Sequence, residues 1–288
     1  MSLTPSSIRA SSPEAGNGIP SASAPSRGRG YRVLWRVLIA LIYLFLLSPL
    51  IVVFIISFDT RPYLSFPPAG FTLGSYRALV HNAAFVHGFT VSLIVGAIVA
   101  VLSTALGTLS ALALARFDFR GKALLSWIFI SPLLVPHIVL GMALMLVLAP
   151  LYLTDTYTGL VIAHLGITLP YVIRTVSMSL MTMNKQCEEA ASVLGAHPLT
   201  VFRRVTLPLI WPGLAAGAVI AFLISFDEAV IALFVVGANA STLPVEIFRY
   251  VEYKTDPQVA ALSVVLILLS LIFVVFIERT AGLRKSLQ

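Results

Sequence analysis

Long apolar stretches separated by short polar ones dominate the chain from residue 35 onwards. A helix needs about 20 apolar residues, at about 1.5 Å each, to cross roughly 30 Å of hydrocarbon. Six stretches reach that length and predict six spans, over residues 35–58, 85–115, 123–150, 157–181, 213–236 and 258–277. Backbone polar groups in lipid must be satisfied within their own segment, so these spans should be helices, kinked at Pro132, Pro136 and Pro170. The pattern predicts an all-α integral membrane protein.

Composition and charge agree with this pattern and give it an orientation. Hydrophobic residues make up 58% of the chain and charged residues 11%, against about 25% charged in soluble domains. With the N-terminus inside, fourteen Lys and Arg fall in inner segments and four in outer loops, while Arg174 should snorkel towards the inner surface. Both termini are therefore predicted to be cytoplasmic. Because the basic residues are scattered between apolar runs, the net charge of +7 does not indicate a nucleic-acid partner.

The segments outside the spans predict disordered ends and two short structured segments in the outer loops. Residues 1–34 are rich in Ser, Pro and Gly and predict a disordered cytoplasmic tail, and residues 278–288 form a second tail. The first apolar run is too long for a signal peptide and should remain in the mature protein. In the outer loops, residues 75–80 should lie along the membrane surface, and residues 245–251 should form an amphipathic helix. Asp256 and Pro257 predict the cap and first turn of the sixth helix.

The cytoplasmic loop 182–212 carries the most informative pattern. Small or apolar residues recur at helical spacing and predict a short amphipathic helix, with its apolar face at Cys187, Ala190, Ala191 and Leu194. Gly195 stands where a helix ends in a left-handed residue, and Pro198 should begin a second short helix that ends before Pro208. The loop is therefore predicted to be a helix-turn-helix elbow. Its charges suit a partner, at Glu188, Glu189, Arg203 and Arg204.

This loop resembles the EAA loop of binding-protein-dependent ABC transporter permeases. The family pattern is E-A-A, three residues, G, nine residues, I, any residue, L-P. The chain matches from Glu189-Ala190-Ala191 through Gly195 to Leu207-Pro208, with Val205 in place of isoleucine. The resemblance implies a MetI-like type I importer permease fold, in which the elbow docks as a coupling helix on an ATPase subunit.

The same resemblance implies partners and a membrane. They are two ATPase subunits that bind the ATP, a second homologous permease subunit, an extracytoplasmic solute-binding protein and the lipid of the bacterial inner membrane. The chain has no G-x-x-x-x-G-K-[ST] phosphate loop. We therefore expect a permease without catalytic residues or a cofactor of its own.

A further resemblance, over residues 35–285, is to the second permease subunit of polyamine importers. It rests on Ser225-Phe226-Asp227-Glu228-Ala229-Val230 and on residues 243–248 and 257–262. Asp227 and Glu228 lie in the fifth apolar run, where carboxylates are usually kept only towards a bundle interior or a water cavity. The two side chains should lie about 100 degrees apart on a helix, so only one should face the substrate path. An acidic lining of that path favours a cation.

Two histidines in the spans are further polar candidates. His137 is placed with the substrate pathway, although polyamine members often carry an acidic residue there, and hydrogen-bonded packing is its alternative role. His164 is the weaker candidate and is expected to be a packing residue. For Asp227 and Glu228 the alternative is a pair that holds helices together.

Other functions remain open at this point. The substrate of such an importer can equally be an amino acid or an opine derivative. An ion-coupled secondary transporter would also carry intramembrane acids and histidines, but it predicts inverted repeats and leaves the elbow unexplained. A membrane enzyme would need a catalytic constellation, which the sequence does not show. Cys187 is the single cysteine and has no Cys/His cluster near it, so a structural role is expected and a metal site is not.

Overall fold

The computed structural model describes residues 29–281, and the regular elements within that range are helices. In chain order they are α1 Arg29–Ile56, α2 Gly74–His81, α3 Ala83–Arg116, α4 Lys122–Ile130, α5 His137–Leu148, α6 Tyr157–Thr182, α7 Gln186–Val193, α8 Pro198–Val201, α9 Leu207–Asp227, α10 Val230–Val235, α11 Leu243–Tyr253 and α12 Pro257–Ala281. The predicted all-helical class is confirmed. The predicted tails lie outside the described residues, except that residues 29–34 and 278–281 belong to α1 and α12.

Four helices in the described range are long and apolar enough to cross a membrane. They are Val33–Ile56, Ala83–Arg116, Tyr157–Thr182 and Pro198–Asp227. A fifth crossing is added if α4 and α5, which are bent by 108° at residues 134–136, count as one span. The sixth apolar run lies within α12, Pro257–Ala281, and the apolar part of this helix whose side chains the structure describes includes Pro257–Ile272. The kink expected near Pro132 and Pro136 is thus confirmed as a break, whereas Pro170 lies within the continuous α6.

The chain divides at Pro49 within α1 into two units, residues 1–49 and 50–288. The second unit is built around α3, α6 and α9. α3 turns a stripe of small residues inwards, and an added Cβ at Gly107 would lie 2.7 Å from Val172 Cγ1 of α6. Small residues at this spacing let two helix backbones approach closely. Two apolar clusters, one around Val95 and one around Val176, fill the space between these helices.

A chain of polar side chains also joins the three core helices. Ser103 Oγ of α3 and Thr168 Oγ1 of α6 are 2.6 Å apart, and Thr168 donates to the carbonyl oxygen of His164 at 2.8 Å. His164 Nδ1 lies 2.8 Å from Ser225 Oγ of α9. Buried polar groups are stabilised when they are paired in this way. The expectation that His164 is a packing residue agrees with its fully buried position.

Two helix boundaries in the sequence analysis are wrong. The fifth span, predicted as residues 213–236, breaks at residues 228–229 between α9 and α10. The second helix of the elbow does not end before Pro208 but continues from α8 into α9. A turn of π-helix, Phe202–Thr206, makes this possible, because Leu207 N–H bonds to the Phe202 carbonyl five residues back. The wider turn accommodates a proline at the start of α9 without a break.

The predicted amphipathic helix of the second loop is present, and the short segment of the first loop is also helical. α2 covers residues 75–80 and α11 covers residues 245–251. The start of α11 is fixed to α3, because Leu243 N–H donates to Ser92 Oγ at 2.9 Å. Asp256 caps α12 as expected, accepting a hydrogen bond from Gln258 N at 3.0 Å.

Candidate functional site

The elbow between α6 and α9 has the predicted helix-turn-helix form. α7 ends in a Schellman motif, in which Gly195 N–H bonds to the Ser192 carbonyl and Ala196 N–H bonds to the Ala191 carbonyl. Gly195 has φ +82°, which confirms the left-handed turn predicted from the sequence. His197 then caps α8 through a 3.3 Å contact from Leu199 N–H to Nδ1, with Pro198 in the first turn.

The elbow exposes apolar side chains to solvent. Val193 and Leu194 are each 87% exposed, and Glu189, Ala190 and Cys187 are also exposed. Single exposed apolar residues are ordinary, but two neighbouring side chains this open at a tight turn are typical of a binding surface. The small residues beside them leave the backbone of α7 open to a close approach. We call residues 189–195 the elbow face.

Glu188 is partly buried and contacts the core helices, so it is not part of the elbow face. Its carboxylate pairs with the Arg116 guanidinium at the end of α3 and accepts a hydrogen bond from the Thr206 hydroxyl in the π-turn. Arg116 also reaches Met183 Sδ at 3.8 Å. These contacts tie α7 to the ends of α3 and α9.

The remaining elbow candidates divide between the surface and the core. Arg203 and Arg204 are exposed and have no ion-pair partner among the residues that the structure describes. Leu207 is partly buried and Pro208 is exposed at the start of α9. The two arginines border a polar depression that they share with Leu199 and Thr200.

Two helix breaks meet at Glu228, which follows the end of α9. Its Oε1 accepts a hydrogen bond from Ile231 N–H in the first turn of α10 at 2.9 Å, and its Oε2 lies 3.2 Å from His137 Nδ1. His137 is the first residue of α5, directly after the break that follows α4. Close packing of α5 on α10 reinforces this junction, because an added Cβ at Gly141 would lie 2.5 Å from Phe234 Cδ2.

The two neighbouring carboxylates differ sharply in environment. Glu228 is 7% exposed and engaged at both oxygens, whereas Asp227 at the last position of α9 is exposed. The predicted placement of both on one helix, about 100 degrees apart, is wrong, because Glu228 is extended with ψ 112°. The backbone leaves the helix at this point, which turns one carboxylate inwards and leaves the other open.

Asp155, which was not predicted as a site residue, clamps two loops together. Asp155 accepts from the backbone N–H groups of Asn239 at 2.8 Å and Ala240 at 2.9 Å, and from Asn239 Nδ2 at 2.8 Å. These hydrogen bonds, led by the one from Ala240, hold the pKa of the Asp155 carboxyl below its usual range, although burial opposes them. Its only sequence signal is a lone acid just before the Thr156 cap of α6. The clamp fixes the loop between α10 and α11.

Comparison with known proteins places this architecture in one family. Residues 103–281 match the family described as binding-protein-dependent transport system inner membrane component. The chain is 33% identical over 234 residues to the spermidine/putrescine transport system permease protein PotC of Escherichia coli strain K12, covering 81% of this chain and 88% of that protein. It is 32% identical over 241 residues to the putrescine transport system permease protein PotI of the same strain, covering 81% and 85%.

The fold agrees with a solved importer. It resembles a chain of a bacterial alginate ABC transporter, solved in complex with an alginate pentasaccharide-bound periplasmic protein. The TM-score is 0.70 at 15% identity, with 88% of this chain and 94% of that chain covered. The chain belongs to the binding-protein-dependent transport system inner membrane component family and is a non-catalytic permease subunit of an ABC importer for a small solute.

Proposed function

We propose that the importer carries polyamines or related organic cations and that this chain is its second permease subunit. Its relatives named for spermidine and putrescine support the substrate class. In this proposal the chain crosses the bacterial inner membrane six times with both termini cytoplasmic. It works with a second homologous permease, two ATPase subunits and an extracytoplasmic binding protein.

The exposed carboxylate of Asp227 is the observation that carries the substrate proposal. A charged side chain inside an apolar span is costly unless it meets water or a counter-charge. The Glu228 carboxylate is engaged by the Ile231 N–H and the His137 imidazole, but Asp227 has no ion-pair partner among the described residues. A carboxylate left open at a break between two helices lowers the barrier for a passing cation. Asp227 is therefore the pathway residue, and the contact between Glu228 and His137 joins the two helix breaks next to it.

The elbow face supports the proposed coupling to an ATPase. Val193 and Leu194 offer the apolar contact, Glu189 offers a charge, and the small side chains of Ala190 and Ala191 admit a close partner. Gly195 sets the angle of the elbow, while Leu207 and Pro208 begin the helix that moves with it. Glu188 carries the displacement to α3 and α9 through Arg116 and Thr206.

Uptake by the complete importer in liposomes tests the proposal. Uptake of spermidine and putrescine is compared with that of a neutral sugar and an amino acid, with binding protein in excess and rates divided by the amount of assembled complex. We expect Asp227→Asn to lower polyamine uptake at least about tenfold, while Glu228→Gln keeps the rate per complex. Asp118→Asn, at a 99% exposed side chain remote from the breaks, is the matched control. Wild-type uptake of sugar or amino acid without polyamine uptake would refute the substrate class.

A further inference from the structure

An apolar groove runs between α3 and α9 on the surface of the second unit. It has a volume of about 530 Å³ and is lined by Ala100, Val101, Thr104, Ala105, Thr108, Leu109, Phe202, Leu207, Leu214 and Ala218. Almost all of the lining surface is apolar. A groove of this kind on a membrane-spanning protein needs an apolar occupant, because leaving it empty forfeits dispersion contacts.

The length of the groove along its two helices matches the thickness of one leaflet of a bilayer. Its lining extends over nine helical steps of α3, from residue 100 to 109, and over eleven steps of α9, from residue 207 to 218. At about 1.5 Å per residue these stretches are roughly 14 to 17 Å long. The hydrocarbon core is about 30 Å thick, so the groove extends over about half of it. An acyl chain of a single leaflet fits that length.

One end of the groove leads to two arginines. Phe202 and Leu207 both line the groove. Arg203 directly follows Phe202 and precedes Leu207 by four positions, so the arginines lie next to the groove on the same helix. Arg203 and Arg204, with Leu199 and Thr200, surround a polar depression of about 360 Å³. Neither guanidinium has an ion-pair partner among the described residues. Two unpaired guanidinium groups form a site for a phosphate.

A third feature lies inside the groove. Thr104 donates its hydroxyl to the Ala100 carbonyl at 2.7 Å, as threonine in a helix commonly does. Thr108, one turn later, is 6% exposed, and its Oγ1 has no partner within the part of the chain that the structure describes. A buried hydroxyl without a partner is costly. Its oxygen is closed off from the groove surface, so the site rests on the apolar lining and the two arginines.

From these features we propose that the groove and the arginine pair form one binding site for an anionic phospholipid. The acyl chain fills the groove between α3 and α9, and the headgroup phosphate binds Arg203 and Arg204. This assigns the two arginines to lipid and leaves the elbow face, residues 189–195, to the ATPase. Because the headgroup sits beside the π-turn that links the elbow to α9, the bound lipid stiffens the segment that transmits elbow movement.

Native mass spectrometry of the purified full-length chain, titrated with lipid, tests this site. The probes are dioleoyl phosphatidylglycerol and dioleoyl phosphatidylcholine, which share acyl chains and differ in charge. Two basic residues next to an anionic headgroup predict a preference of about tenfold to thirtyfold for phosphatidylglycerol. The double variant Arg203→Gln with Arg204→Gln should bind both lipids equally. The double variant Arg203→Lys with Arg204→Lys should keep the preference, which separates the effect of charge from that of misfolding.

Matched variants locate the acyl chain. Ala218→Trp fills the groove and should abolish tight binding of both lipids, while Leu209→Trp, on the same helix outside the groove, should not. Arg120→Gln removes an exposed charge elsewhere and should leave the preference intact.

Several results would overturn the proposal. They are equal binding of the two lipids by wild type, displacement of phosphatidylglycerol by millimolar inorganic phosphate, or equal loss in Leu209→Trp. The double variant Arg203→Gln with Arg204→Gln could also keep its preference for phosphatidylglycerol and lose the ATPase subunit. That result would assign the two arginines to the protein partner instead. None of these measurements depends on the transported solute. The lipid-site proposal can therefore be refuted without affecting the polyamine proposal, and the reverse.

Discussion

At the scale of single residues, Glu228 holds two helix starts with one carboxylate. Replacement by Gln keeps an oxygen for the Ile231 amide but removes the charge beside His137, whereas replacement by Ala removes both. We expect Glu228→Ala to lower the unfolding free energy by about 2 to 3 kcal/mol and Glu228→Gln by about 1 kcal/mol. Thermal unfolding of the purified chain measures the difference. Glu189→Ala, at an exposed position, should leave it unchanged, and equal losses for the two Glu228 variants would contradict the capping role.

The hydrogen bonds to the Asp155 carboxylate predict that the stability of the protein depends on pH. Its folded pKa lies below the ordinary value near 3.9. The carboxylate therefore contributes stability that is fully present above that ordinary value and is lost as the pH falls through the folded pKa. Asn tolerates the positive φ of 58° at this position, so Asp155→Asn tests the charge with little added strain. The melting temperature of wild type should exceed that of Asp155→Asn at pH 6, and the gap should narrow below about pH 4.

The control for this pH prediction is Asp118, whose carboxylate pairs with Lys122 at a 99% exposed position. Exposed ion pairs contribute little to stability. Asp118→Asn should therefore show no comparable gap at any pH. A gap between wild type and Asp155→Asn that is the same at pH 3 and pH 6 would show that the clamp does not depend on charge.

At the scale of secondary-structure elements, the elbow depends on the left-handed turn at Gly195. An added Cβ there meets no atom within 4 Å, so a substitution acts through backbone strain and not through a clash. Gly195→Val should lower the free energy of unfolding by roughly 1 to 2 kcal/mol and uncouple ATP hydrolysis from uptake in the assembled importer. Glu189→Lys should weaken coupling by reversing a charge on the elbow face.

Gly121 provides the matched control, because it has φ +91° and equally open surroundings at the start of α4. Gly121→Val should cost similar stability but leave uptake per hydrolysed ATP unchanged. Gly195→Asn should restore much of the coupling, since Asn tolerates the left-handed region. If Gly195→Val and Glu189→Lys both transport at the wild-type rate, the elbow is only a connector.

The close contact of α3 and α6 makes a second element-scale prediction. An added methyl at Gly107 would lie 2.7 Å from Val172 Cγ1 and 2.9 Å from its Cβ, and β-branched Val172 has little freedom to turn away. Gly107→Ala should therefore destabilise the protein by about 1 to 3 kcal/mol. Gly166→Ala, at a helical position with open space, should be neutral or slightly stabilising. The melting temperatures of the two variants test this prediction, and equal values would contradict the close packing of α3 on α6.

At the scale of the whole molecule, we expect the chain to depend on partners for energy. The purified subunit alone should hydrolyse no ATP, and hydrolysis should be stimulated only in an assembly with two ATPase subunits and a second permease. The sequence lacks a phosphate-binding loop. Colorimetric phosphate release from the isolated and assembled protein measures this. ATPase activity that copurifies with the isolated chain, and that survives removal of contaminating proteins, would contradict it.

The sequence by itself determined the class of the molecule and the form of its elbow. The apolar runs predict helices because lipid cannot satisfy an open backbone, and the spacing from Glu189 to Pro208 marks the elbow because a left-handed glycine and a helix-starting proline act locally. The helices α3 and α6 agree with their predicted spans within two residues at each end. These features depend on residues close together in the chain.

Only the tertiary structure decided which polar groups are paired. Asp227 and Glu228 are chemically alike and adjacent, and their different surroundings are set by the distant His137 and by the helix break between them. The same holds for Glu188, which Arg116 and Thr206 turn away from the elbow face, and for Asp155, whose partners lie more than 80 residues away. Apolar periodicity does not report such contacts, because the free energy of a buried charge depends on the partners that folding brings to it.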